Sequence, residues 1–288
     1  MRKHEALSAG WHVVEIDGVE QAYEVRGQGP VTIVHSGGPG VNSGYLRMPA
    51  LEDRLTMVYL DPIGTGRSGR PSDGNYSVAV YARFVHRLIE HLGEVRPYFL
   101  GHSHGGFVGI ELAVENPGLL GGLIAYSTAA VHNRELVAEA SRQMAAFVGR
   151  FPDRPEVVRA GEAWDARRVL GTPIRSEQEF ADYMNAILPA YFMDYRKVVA
   201  QWGQLDVKVH FDPHRKESEW DARDRLTRLY TPTLVVSGAY DFICPRIWAD
   251  ELVAGIPETV NLKLEESGHF GYLEQQDLFV KAVADFVR

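Results

Sequence analysis

Short apolar runs alternate along this chain with longer stretches whose apolar residues recur at helical spacing. Residues 11–17 and 21–26 flank Gly18 and predict an opening β-hairpin. Apolar runs at 31–35, 55–60, 98–101 and 119–126 predict buried strands. Between them, 76–92 carries Val80, Phe84, Val85, Leu88, Ile89 and Leu92 on one helical face, and 105–115 predicts a second helix. Short buried strands separated by helices predict an α/β fold, with a mostly parallel central sheet flanked by helices on both faces.

The rhythm changes from 129 to 223, where helical stretches dominate and no buried-strand run stands out. Residues 133–148 are amphipathic, and Ser176 with Glu179 predicts a capping box for a helix starting near Glu177. Pro189 is expected to break or kink the chain just beyond that helix. Strand and helix patterns then resume at 232–237, 245–255, 260–264 and 276–287. The expected organisation is a core in two parts, 1–128 and 224–288, interrupted by a helical cap over 129–223.

Composition narrows the functional classes. A hydrophobic share of 45% supports a packed core and excludes general disorder. A net charge of −8 opposes nucleic-acid binding, which needs a cationic footprint. The single cysteine, Cys244, excludes an internal disulfide and a cysteine-based zinc site. No secretory signal is read at the N-terminus, and no apolar run approaches the roughly 20 residues that span a bilayer. A cytoplasmic protein with no membrane association is expected.

The strongest chemical signal is Gly101-His102-Ser103-His104-Gly105, followed by Gly106. It matches G-x-S-x-G and lies between a predicted strand and a predicted helix, where a nucleophilic serine sits on a sharp turn. A serine nucleophile needs a base, and the base needs a group to orient it. Asp241 and His269 come after predicted strands in the chain order this motif requires. Asp206, Asp212 and Asp250 compete with Asp241 less well, because the first two fall in or near the insertion and the third within a predicted helix. Of the other histidines, His4, His12, His86, His91, His132, His210 and His214 read most simply as surface or packing residues. The oxyanion donors are expected to be the backbone N–H groups of His104 and of Gly38, in the 36–40 glycine loop. That loop lacks the P-loop pattern, and Arg70-Pro71-Ser72 after 64–69 does not read as a helix start, so nucleotide binding is not expected.

These residues resemble the α/β-hydrolase fold serine hydrolases and, more narrowly, the proline iminopeptidase (prolyl aminopeptidase) family. Ser36-Gly37-Gly38-Pro39-Gly40 resembles the family's H-G-G-P-G, with Ser36 replacing its His. Residues 61–68 resemble D-Q-R-G-x-G-x-S, with Pro62 and Ile63 replacing Gln and Arg. The resemblance implies a cap over the catalytic core and release of an N-terminal amino acid from a short peptide, or of an aminoacyl group from a small amide. It also implies acidic side chains for the free amine. The 129–223 stretch holds 15 acidic and 14 basic residues, so it offers no concentrated negative field. Glu162 and Asp165, flanking Trp164, are the first acidic candidates. Trp164, Tyr191 and Phe242 are further substrate-binding candidates; the aromatics Trp164, Tyr183, Tyr191, Phe192, Tyr195 and Trp202 could line an apolar pocket, although most of them read more simply as packing the cap against the core. An esterase, lactonase or thioesterase on a small acyl substrate is the alternative, and a non-catalytic ligand receptor is the alternative of another class. The substrate is expected to be a small molecule or short peptide, with no cofactor or metal. The sequence sets no oligomeric state.

Overall fold

Side chains alternate between two apolar cores along the central strands of the sheet, and this alternation organises the molecule. The computed structural model describes residues 3–93, 96–197, 207–216 and 218–287, so Trp202 and Asp206 lie outside the described residues. The strands are β1 (Gly10–Ile16), β2 (Val19–Arg26), β3 (Val31–His35), β4 (Thr56–Leu60), β5 (Tyr98–His102) and β6 (Gly122–Tyr126). They continue with β7 (Val131–His132), β8 (Trp220–Asp221), β9 (Thr233–Gly238) and β10 (Thr259–Leu264). Eight of them form one sheet in the order β1-β2-β4-β3-β5-β6-β9-β10. The pairs from β4 to β10 are parallel, while β1 and β2 add an antiparallel edge. The hairpin turn is Asp17-Gly18, both at positive φ (51° and 76°), as a two-residue loop between twisted strands requires.

On the central strands Ile33, Phe99, Leu123 and Val235 point into one core, and Val34, Leu100, Ile124 and Leu234 into the other. Helices α1 (Val78–Leu92) and α2 (His104–Glu115) cover the first face, and α7 (Gln276–Phe286) the second. The α1 helix buries the predicted stripe and stops at Gly93, whose φ of 65° suits a left-handed cap. The 119–126 run is strand only from Gly122, because the chain still turns at Gly118 (φ 83°).

The stretch between β6 and β9 holds α3 (Arg134–Arg150), α4 (Pro155–Trp164) and α5 (Glu177–Ile187). Asn133 caps α3 by accepting from the Glu135 and Leu136 amides. Ser176 caps α5 as predicted, but the Glu179 carboxylate returns to the Arg175 amide rather than to that of Ser176. The α5 helix ends at Ile187 and tightens into a 3₁₀ turn over Leu188–Tyr191, where Pro189 sits. The β7–β8 pair, missed in the sequence for its brevity, joins the two ends of the stretch. A second undetected contact runs Val209 antiparallel to Val41, with the His210 N–H donating to the Gly40 carbonyl at 2.7 Å. The helix α6 (Arg246–Gly255) comes after β9. No helix among the described residues is long and apolar enough to cross a membrane.

Phe99 is fully buried at the sheet centre. Phe99→Ala is expected to cost about 3–5 kcal/mol of unfolding free energy, measured by urea titration with an unchanged slope.

Candidate active site

The β5–α2 turn shows why this sequence needs its glycines. Ser103 is held at φ 54°, ψ −118°, outside the regions that L-residues favour. Its N–H donates to the Tyr126 carbonyl at 2.9 Å, and its carbonyl accepts from Thr128 Oγ1 at 2.8 Å. A Cβ on Gly101 would meet the Gly105 carbonyl oxygen at 2.2 Å, one on Gly105 that of His35 at 2.3 Å, and one on Gly106 Thr128 Oγ1 at 2.3 Å. Only glycine fits these three positions, so the motif is a packing requirement of the turn itself.

Two loops at the carboxyl ends of β9 and β10 bring Asp241 and His269 together. Asp241 Oδ2 lies 2.8 Å from His269 Nδ1, and both side chains are buried. The other Asp241 oxygen accepts the Ile243 and Cys244 N–H groups at 3.0 and 2.9 Å, which fixes the carboxylate's plane. The His269 N–H donates to the Tyr191 carbonyl at 2.8 Å. Half-buried Glu274 accepts from the Gly268 and Met193 N–H groups, tying the histidine loop to the chain just beyond Tyr191. The rivals have other partners. Asp250 takes Lys263 at 2.9 Å, and Asp212 takes the Tyr76 hydroxyl at 2.7 Å. Burial and neighbouring Asp241 push the Cys244 thiol up, so it stays protonated.

The Gly37 N–H donates to the Tyr45 hydroxyl oxygen at 2.8 Å. That commitment takes Gly37 out of play, while Gly38 beside it, whose φ of 128° requires glycine, remains a candidate donor. Among the described residues no acceptor takes the N–H of Gly38 or of His104. His104 opens α2, so the helix dipole adds partial positive charge there.

One network joins this loop to the histidine loop. His102 Nε2 lies 3.1 Å from the His269 carbonyl, which can only accept, so Nε2 carries the hydrogen. Burial, then His269, lowers the His102 pKa well below its ordinary value, so the ring is neutral and Nδ1 is bare. The Tyr45 hydroxyl therefore donates to Nδ1, at 2.7 Å, while accepting from Gly37. The Tyr126 hydroxyl donates to the same His269 carbonyl at 3.0 Å. His102 could be suspected from its place beside Ser103. Tyr45 and Tyr126 carry no signal in spacing or composition.

Ser103, His269 and Gly38 line one cavity of about 450 Å³. Trp164, Tyr183 and Tyr191 line it too. Phe242 does not: it is buried behind Trp164 and Tyr191, with ring centroids 5.3 and 5.1 Å from theirs. Glu162 and Asp165 are absent from the lining, which corrects the expectation that they hold an amine. With about 100° of helical rotation per residue, positions two before and one after inward-facing Trp164 point elsewhere. His132 and His210 line the cavity rather than the surface, and Asp212 and Arg215 do so too. A second cavity of about 410 Å³ adjoins it across Tyr191, Met184, Val207, His210 and Phe270.

Tyr45→Phe strands the buried Gly37 N–H and His102 Nδ1, and should cost about 1–3 kcal/mol in chemical denaturation. The buried histidines also make stability depend on pH. His35 is lowered from 6.5 to about 4 by burial, and His102 and His104 are also lowered, first by burial. The unfolded chain binds these protons near pH 6.5 and the native state does not, so stability should fall as pH drops from 6.5 towards 4. The expected slope is up to about 1.4 kcal/mol per pH unit for each histidine, read from urea midpoints at about pH 7, 6 and 5.

Comparison with known proteins bears on the fold. The alpha/beta hydrolase fold family matches residues 30–276. A Klebsiella pneumoniae (strain 342) protein named as a putative carbamate hydrolase, RutD, is 24% identical over 265 residues, covering 89% of this chain and 91% of that one. The enol-lactonase from Burkholderia xenovorans LB400 superposes with a TM-score of 0.70 at 22% identity, over 96% of this chain and 99% of that one. The proline iminopeptidase of Mycobacterium smegmatis gives 0.68 at 22%, over 96% and 97%. At such identities the two structural likenesses speak for the fold alone.

Proposed function

The chain belongs to the alpha/beta hydrolase fold family, and from that premise we propose that it is a serine hydrolase working through an acyl-Ser103 intermediate on a small acyl substrate. The observation that carries this reading is the convergence of strained Ser103, Asp241-bonded His269 and the Gly38 loop on one cavity. Asp241 keeps the hydrogen on His269 Nδ1, which leaves Nε2 bare to act as a base. Ser103 Oγ attacks the carbonyl carbon as its proton passes to Nε2. The N–H groups of Gly38 and His104 receive the developing oxyanion. Collapse expels the alcohol or amine, which takes that proton from His269. Water then attacks the acyl-enzyme by the same route in reverse, with His269 first removing its proton, and the acid leaves. Residues 129–223 act as the lid that shapes the cavity over the core parts 1–128 and 224–288. No cofactor enters this scheme.

An ester, lactone or carbamate-type substrate is the preferred class. The 36–40 and 61–68 motifs favour a second reading, release of an N-terminal aminoacyl group. That reading needs a carboxylate for the ammonium. Among the described residues Asp212 is the one acidic residue lining the cavity, and it already accepts from Tyr76 and the His214 N–H.

A fluorophosphonate probe should label wild type and not Ser103→Ala, and the variant should lose at least about a thousandfold in kcat. Asp241→Asn should lose about ten-thousandfold while keeping the fold, because His269 is then held in the wrong tautomer. Absence of labelling with full turnover in Ser103→Ala would sink the proposal. Amino acid naphthylamides, their N-acylated forms and p-nitrophenyl esters separate the two substrate classes: esters should be turned over best, and loss of turnover on blocking the amine would favour the second reading.

A further inference from the structure

The charged groups around the cavity are mostly cationic. Arg167, Arg168 and Arg215 line it, against Asp212 alone among the described residues. Asp212 is satisfied by the Tyr76 hydroxyl at 2.7 Å and the His214 N–H at 2.9 Å.

Arg215 is held in place by its surroundings. Segment 207–216 runs along the glycine loop, and Lys216 is clamped on Gly74 and Tyr76 by backbone hydrogen bonds. The Arg215 guanidinium stacks 4.0 Å from the Tyr76 ring centroid, and its Nη1 donates to the Tyr81 hydroxyl at 3.0 Å. Its Nη2 is buried and has no hydrogen-bond partner among the described residues. A Cβ placed on Gly40 would lie 3.6 Å from that nitrogen, so this edge of the fork adjoins the loop that carries the Gly38 N–H. Beside it, His210 Nε2 is also buried without a partner among the described residues, and burial first of all lowers its pKa, so it is neutral.

No carboxylate among the described residues makes an ion pair with Arg215, although Asp212 on the same cavity wall is near enough for Arg215 to help hold its carboxyl pKa down. A guanidinium is charged at every physiological pH, and a buried N–H of one that lacks a hydrogen-bond acceptor is unfavourable. The matching group for a rigid planar fork is a carboxylate. We propose that the substrate carries a carboxylate a few bonds from its scissile carbonyl, bound by Arg215 with His210 beside it. This rests on the serine-hydrolase reading only for the carbonyl; the anion site stands on the cavity's own residues. The same three guanidiniums repel a free ammonium, which separates this substrate class from N-terminal aminoacyl groups.

The test uses the full chain carrying Ser103→Ala, with monomethyl glutarate and its neutral isostere, the methyl ester of glutaric monoamide, as ligands in calorimetry. The monoanion should bind about tenfold or more tightly, the span of a charge-assisted hydrogen bond. Adding Arg215→Gln should shrink the preference below about twofold, and Arg215→Lys should retain part of it. Circular dichroism checks that each variant folds, and if Arg215→Gln does not, the preference of the Ser103→Ala parent decides. Equal affinity for the two ligands, or a preference that survives Arg215→Gln, overturns the proposal. A wild-type protein that escapes fluorophosphonate labelling while the monoanion preference holds supports the anion site and defeats the hydrolase reading.

Discussion

The left-handed turn at Ser103 is the constraint on which the rest of the molecule depends. A strand that passes directly into a helix brings backbone against backbone, and neighbouring strands must then approach without side chains between them. The three glycines at 101, 105 and 106 supply that clearance against Gly105, His35 and Thr128. The strain at φ 54° is held by hydrogen bonds from β6 and the residues just after it. Sheet order reflects the same need. β5 lies between β3 and β6, so the loops after β3 and β5 open side by side at one edge.

A second layer of polar contacts converts that edge into a rigid site. Gly37, Tyr45, His102 and the His269 carbonyl form one chain with every hydrogen assigned by its neighbours. Such a chain works only while His102 is neutral, and burial keeps it so. The glycine loop and the histidine loop are more than two hundred residues apart in sequence, yet they are positioned by the same imidazole. The cost is a set of buried histidines that oppose protonation, which couples the site's order to pH.

Local sequence carried much of this. The α1 stripe, the Ser176 cap, the Gly18 turn and the strand–turn–helix around Ser103 are legible because period, capping and positive φ are local physics. Asp241 and His269 were legible for a related reason: each comes after an apolar strand, and strand ends in a parallel sheet converge. Glu162 and Asp165 show where such reasoning stops. Their adjacency to Trp164 in sequence puts them on other helical faces.

Sequence alone determined the fold class, the elbow and the pairing of an acid with a base at two strand ends. It also bounded the chemistry through one cysteine, an acidic balance and a missing phosphate loop. Tertiary structure alone decided what surrounds that chemistry. Tyr45 and Tyr126 join the site through contacts between distant segments, and short pairings such as Val41 with Val209 are too brief to leave a periodic signal. The net charge of −8 belongs to the whole chain, whereas three arginines and one aspartate among the described residues line the cavity. Total charge is a sum over residues, but the local field depends on which residues the fold turns inward, and only packing sets that.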